Sequence, residues 1–196
     1  METKVELWAM DVMHFTKEEK QYLLDLSRRA IEEYLKNKNI LEEIPPFEKV
    51  LQKAACFVTL KINNHLRGCV GHLLAFQPLY KDVIENSINA AFFDSRFRPL
   101  TSEEFKDVKI SISILSTPKE FKFKTKEELI AKLEKEKPGV ILVSGHAKAT
   151  YLPAVWEEVK NAEEFMCSLA LKAGIYAFDW QVPEKVRIFL YTAVTL

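Results

Sequence analysis

A chain of 196 residues with 48% hydrophobic and 29% charged residues has the balance of an ordinary folded domain, too apolar for disorder and too evenly charged for a lipid-embedded protein. Its 28 basic residues match its 28 acidic ones, so no whole-molecule field draws it to nucleic acid or to an anionic bilayer. Three cysteines without paired spacing argue against a disulfide framework and for a reducing compartment, the cytoplasm.

The charged opening Met1–Lys4 leads into no apolar targeting segment, and no run approaches the ~20 apolar residues that span a bilayer. One domain over 1–196 is expected, with room for a smaller lobe drawn partly from 78–105. Thr16 followed by Glu19 forms a capping box, and Leu23, Leu26, Ala30, Ile31, Tyr34 and Leu35 mark the apolar stripe of a helix running to about Lys38. Ile44-Pro45-Pro46 cannot continue a helix. Ala55 to Ile62 reads as a strand, Asn63-Asn64 as a tight turn, and Leu66 to Gly71 as the returning arm of a hairpin.

Pro78 suits the first turn of a helix whose apolar positions run from Leu79 to Ala91 and which ends near Phe93. Thr101 with Glu104 caps a short helical turn, and Val108, Ile110, Ile112 and Ile114 alternate with polar residues as a half-buried strand. Thr125 with Glu128 opens a helix to about Lys135. Val140–Val143 and Ala147–Leu152 flank Ser144-Gly145-His146 as a second hairpin. Asn161 with Glu164 caps the last helix, Gly174 supplies its left-handed end, and Val186 to Tyr191 is a closing strand. Tight turns join only antiparallel partners, so the interspersed helices and strands make an α+β fold with a mostly antiparallel sheet.

Chemistry concentrates between His65 and His72. In an extended strand His65, Arg67, Cys69 and Gly71 share one face, while Leu66 and Val70 turn to the core. A guanidinium beside Cys69 favours thiolate, which makes this cysteine the candidate nucleophile; the plain alternative is a small buried hydrophobe between glycines that permit close packing. A nucleophile needs a base, for which His65, His72 and His146 are available. A metal held by His65, Cys69 and His72 is disfavoured. The first two stand about 13 Å apart along a strand, whereas metal–ligand bonds are near ~2 Å.

Asp94 and Arg96 read either as an ion pair locking a loop with Phe97 as its plug, or as a carboxylate or phosphate clamp in which Asp94 holds the Arg96 fork. Cys56 and Cys167 lie in apolar surroundings and read as core. The lysine-rich stretch 119–137 also carries five glutamates, which makes it a solvated mixed-charge face rather than a nucleic-acid surface. No glycine-rich nucleotide loop and no multiple-cysteine run points to a cofactor.

The hexapeptide Leu66-Arg67-Gly68-Cys69-Val70-Gly71, together with Asp94-Ser95-Arg96-Phe97, resembles the signature of the AMMECR1 domain family, and the likeness extends over most of the chain. Leu152-Pro153-Ala154-Val155-Trp156 resembles a further family motif, with Ala154 where glutamine is common. His72 stands where a small hydroxyl residue is more usual. The resemblance implies a sheet with packed helices and a smaller helical lobe. It also implies association with a Memo-like protein and a radical S-adenosylmethionine protein. The expected function is a cysteine-dependent enzyme or enzyme accessory, with a non-catalytic adaptor as the alternative. The expected site has Cys69, Arg67 and His72 as catalytic residues and Gly68, Gly71, Asp94, Arg96 and His146 as ligand-binding residues, with no metal.

Overall fold

The Thr16–Glu19 box caps α1 (Lys17–Asn37): the Thr16 hydroxyl accepts from the Glu19 N–H and the Glu19 carboxylate from the Thr16 N–H. The structure, a computed structural model, describes residues 14–196. The charged opening Met1–Lys4 lies outside the described residues. Leu23, Leu26, Ala30 and Ile31 of α1 are fully buried, each contributing about 1.5–3 kcal/mol if a large aliphatic.

The chain divides into two compact units, residues up to Thr117 with Val194–Leu196, and Pro118–Ala193. In the first, a short α2 (Glu48–Leu51) precedes β1 (Ala55–Ile62) and β2 (His65–Gly71). Asn63 and Asn64 take φ of 51° and 64°, the left-handed pair that a two-residue hairpin needs. Then come α3 (Leu79–Phe92), α4 (Ser102–Phe105), β3 (Lys109–Leu115) and, at the chain's end, β8 (Ala193–Thr195). The sheet order is β2-β1-β3-β8. β1 is antiparallel to both neighbours, and Ile112 exchanges both N–H···O bonds with Leu196 in the antiparallel manner. α3 packs on β1 and β2 and against α1, where the Ser27 and Ser87 hydroxyls meet at 2.7 Å. Residues 78–105 therefore belong to this first unit.

The second unit builds its own antiparallel sheet from β4 (Lys119–Phe121), β5 (Gly139–Ser144), β6 (Ala147–Tyr151) and β7 (Arg187–Tyr191), in the order β4-β7-β5-β6. α6 (Ala162–Ala173) lies on this sheet, and α5 (Lys126–Glu136) packs on α6. The core gathers Leu129, Leu133, Phe165, Leu169 and Trp180. Trp156 stacks on Phe165 with centroids 4.2 Å apart, and its indole N–H donates to the Pro138 carbonyl. The motif at 152–156 thus serves to seat that tryptophan, and Ala154 faces outwards. Lys126, Glu127, Glu128, Glu134 and Lys135 are exposed on α5, the mixed-charge face read in the sequence, while Lys132 and Glu136 pair half-buried. Cys167 is half-buried at the margin of this core rather than sealed within it.

One departure positions the site. Leu60 pairs with Gly68 and Lys61 with Leu66, so Arg67 is an extra residue, a β-bulge. Alternation restarts across it. Gly68 and Val70 now stand opposite Leu60 and Val58 on the face covered by α3, while Leu66 stands opposite Lys61 on the other face and is exposed, not in the core. A Cβ on Gly68 would lie 2.0 Å from the Ala90 carbonyl oxygen of α3, so glycine is required by the approach of two backbones. Gly68→Ala is expected to cost about 1–3 kcal/mol by forcing α3 from β2. Urea unfolding checks this, and an unchanged midpoint would mean that the two elements separate freely.

Candidate functional site

β2 is an edge strand, and at Cys69 both backbone groups point away from β1. The residue paired with Cys69 is Thr59, whose hydroxyl lies 3.2 Å from the sulfur. Where a further strand would bond, the loop after α3 supplies a side-chain substitute. Asp94 Oδ2 accepts from the Cys69 N–H at 2.9 Å, and Arg96 Nη2 donates to the Cys69 carbonyl at 3.1 Å. The Arg96 fork closes on the same carboxylate through Nε to Oδ1, 2.9 Å, and Nη2 to Oδ2, 2.7 Å. The exposed edge is thereby covered for one residue, which blunts strand addition there.

Arg67, set by the bulge, makes a parallel arrangement. Its Nε and Nη2 each donate at 3.0 Å to the two oxygens of Glu104, and Nη2 also donates to the Arg98 carbonyl. Glu104 is fixed in turn by the Thr101 capping box. The Phe97 ring centroid lies 5.8 Å from the guanidinium carbon of Arg67 and 5.5 Å from that of Arg96. The Arg67 Nη1 is buried without a hydrogen-bond partner. The fold thus brings together Arg67, Gly68, Cys69, Asp94 and Arg96, with Phe97. Thr59 and Glu104 complete the cluster, and the sequence marked neither for this role.

Electrostatically the cluster is not the positive pocket that two arginines suggest. Each guanidinium is spent bidentately on a carboxylate. The Arg96 guanidinium, helped by the Cys69 and Arg96 N–H groups and opposed by burial, holds the Asp94 carboxyl down to about 2. The Arg67 guanidinium and the Thr101 N–H do the same for Glu104. The arrangement is the loop-locking ion pair, twice over. Nor do the glycines open a path to the strand. Gly68 admits Ala90, and a Cβ at Gly71 would meet the Phe57 ring and the Cys56 carbonyl at 2.4 Å.

The histidines do not join Cys69. His72 turns to α3, where its Nδ1 lies 2.7 Å from Asp82 Oδ1, whereas Cys69 shares the opposite face of the sheet with Thr59. A strand's alternation separates them. Asp82 is 1% exposed and accepts in addition from the Cys56 N–H, Gln77 and Asn86, so a buried carboxylate is fully satisfied. The Asn86 amide nitrogen also lies 3.1 Å from the same Nδ1, so the ring is held from α3 on two sides. Burial, and then the Asp82 charge, pushes the Cys56 thiol far up, as befits a core cysteine. His65 is exposed at the start of β2, and His146 is exposed in the β5–β6 turn of the second unit. Among the described residues, no group of three or more His, Cys, Asp or Glu is placed to hold a metal ion, and no helix is long and apolar enough to cross a membrane.

Because the folded Asp94 carboxyl ionises below its ordinary value of 3.8, its stabilisation is complete above about pH 4 and is lost as the pH falls towards 2. With the side chain 6% exposed, this amounts to about 2 kcal/mol. Asp94→Asn is expected to cost that much at pH 7 and little at pH 2 in urea unfolding; an equal cost at both would show that the carboxylate is not the source.

The comparisons with known proteins agree over nearly the whole chain. The AMMECR1 family model matches residues 24–196. Protein MK0488 of Methanopyrus kandleri is 34% identical over 186 residues, covering 91% of this chain and 87% of that protein. Protein PF1979 of Pyrococcus furiosus is 35% identical over 186 residues, covering 88% and 85%. The crystal structure of the uncharacterized protein PH0010 from Pyrococcus horikoshii superposes with a TM-score of 0.82 at 31% identity, over 92% of each chain. The chain belongs to the AMMECR1 family.

Proposed function

We propose that this protein is a non-catalytic accessory of an enzyme system, presenting the rigid surface around Cys69, Arg96 and Phe97 to a partner protein. The observation that carries this reading is that the reactive groups of the cluster are engaged internally. Arg96 and Arg67 close on Asp94 and Glu104, the Cys69 backbone closes on Asp94 and Arg96, and the described partner of the sulfur is a threonine hydroxyl, which is no base at neutral pH. What such a cluster offers is shape. Arg96 remains 54% exposed with its charge matched and its position fixed, the kind of pre-organised contact that recognition rewards. The partners implied by family resemblance are a Memo-like protein and a radical S-adenosylmethionine protein.

A second reading, a cysteine-dependent enzyme, is favoured by one observation. The Cys69 side is half-buried rather than sealed, with the Arg96 guanidinium on the carbonyl of the same residue.

Cys69→Ser separates the two, because serine keeps a hydrogen bond to Thr59 and removes the thiol. In the accessory reading this variant binds the Memo-like and radical S-adenosylmethionine proteins of the same organism as the native chain does, in calorimetric titrations. Phe97→Ala then weakens binding about ten-fold. Iodoacetamide alkylates native Cys69 no faster than free cysteine. Alkylation much faster than free cysteine, or absence of binding to either partner, would overturn the accessory reading.

A further inference from the structure

Away from β2, the first unit carries a groove of about 890 Å3 between α3 and the loop 38–46. Its floor is Tyr80, Ile84 and Ile88, one turn apart along α3, with Ile84 and Ile88 almost wholly buried. Its far wall is Ile40, Leu41 and Ile44, of which Ile44 is 93% exposed and Ile40 68%. Side chains so apolar and so accessible at the rim of a concavity mark a binding surface. The wall is held in place. Tyr22 Oη donates to Glu43 at 2.6 Å, and Arg29 Nη2 donates to both oxygens of the same carboxylate, tying the loop to α1. That contact also neutralises Glu43.

Two features choose the occupant. The first is length. The lining follows α3 from Gln77, before its first turn, to Phe93, after its last, and the fourteen helical residues between span about 21 Å at 1.5 Å per residue, which is a linear trough rather than a cup for a compact molecule. Its walls are a helix and a loop, which offer no strand edge for β-pairing, and the four-residue ridge of Tyr80, Ile84 and Ile88 is of the kind that packs against another helix. The second is charge. Beyond the neutralised Glu43, the exposed carboxylates of Glu42 and Glu85 stand at the lining against Lys81, and Gln77 holds Glu85 at 2.7 Å. We propose that this groove docks an amphipathic helix of a partner protein, about four turns long, whose aliphatic stripe fills the trough and whose flanking lysines or arginines meet Glu42 and Glu85. The site is separate from the Cys69 surface, no lining residue belonging to β2, so it stands or falls independently of the accessory reading.

The probe is a fluorescein-labelled helix of about sixteen residues made of leucine on one stripe and lysine elsewhere, with its glutamate-for-lysine counterpart as control. Titrated into the full chain, the lysine peptide is expected to bind saturably, one to one, and the glutamate peptide at least ten-fold more weakly. Methyl shifts should concentrate on Ile40, Ile44, Ile84 and Ile88. Ile44→Asp and Ile40→Asp, at exposed positions that folding does not need, should each weaken the lysine peptide about ten-fold, and the pair Glu42→Lys and Glu85→Lys should reverse the preference. Equal binding of both peptides, binding indifferent to the isoleucine variants, or no binding would overturn the proposal. Groove methyl shifts that track protein concentration without peptide would assign the trough to a second copy of this chain and overturn it too.

Discussion

The first unit depends on one close approach, the backbone of α3 at Ala90 against β2 at Gly68. With a side chain at residue 68 the helix would stand off the sheet by the width of a methylene group or more, and the loop 93–99 would not reach the strand edge. Because the approach is allowed, α3 ends where Asp94 can accept the Cys69 N–H. That single placement makes the rest of the cluster geometrically available: Arg96 wraps the same carboxylate and turns its second nitrogen onto the Cys69 carbonyl.

α3 is in fact pinned at both ends by the same device. In its first turn Asp82 accepts the Cys56 N–H of β1, and just beyond its last turn Asp94 accepts the Cys69 N–H of β2. Each carboxylate is then satisfied by further donors, so neither is a stranded charge. Hydrophobic burial along Leu79, Val83, Ile84 and Ile88 provides adhesion without direction, and the two carboxylates supply the register that burial alone leaves loose.

Much of this architecture was legible in the sequence, because it is written in local rules. The caps at Thr16, Thr101, Thr125 and Asn161, the paired asparagines of the first hairpin, and the apolar spacing of α1 and α3 all depend on residues a few positions apart. The association of Cys69 with Asp94 and Arg96 was legible as a resemblance. What escaped needed long-range facts. The bulge at Arg67 is invisible to alternation, since it depends on how β2 registers against β1, and it reverses the expected side of Leu66. Glu104 reads locally as a capping residue, and its second bond, to an arginine 37 positions earlier, requires the fold. His72, a candidate base for Cys69 in the sequence, stands three positions on, an odd spacing that puts it on the opposite face of a strand; what the sequence does not show is that Asp82, ten positions further, claims the ring.

The same helix underlies both proposed surfaces. One side of α3 presses on β1 and β2 and so fixes Cys69 through Asp94; the other side floors the apolar trough. A ligand can shift a conformational equilibrium only by its difference in affinity for two arrangements. Any arrangement that moves α3 along its axis must break the Asp82 or the Asp94 contact to a strand N–H, leaving a buried carboxylate short of a donor at a cost of about 1–3 kcal/mol. An occupant that accepts α3 where it stands therefore leaves the Cys69 surface as it is. Coupling between the two requires an occupant whose contacts favour a displaced helix by more than that amount.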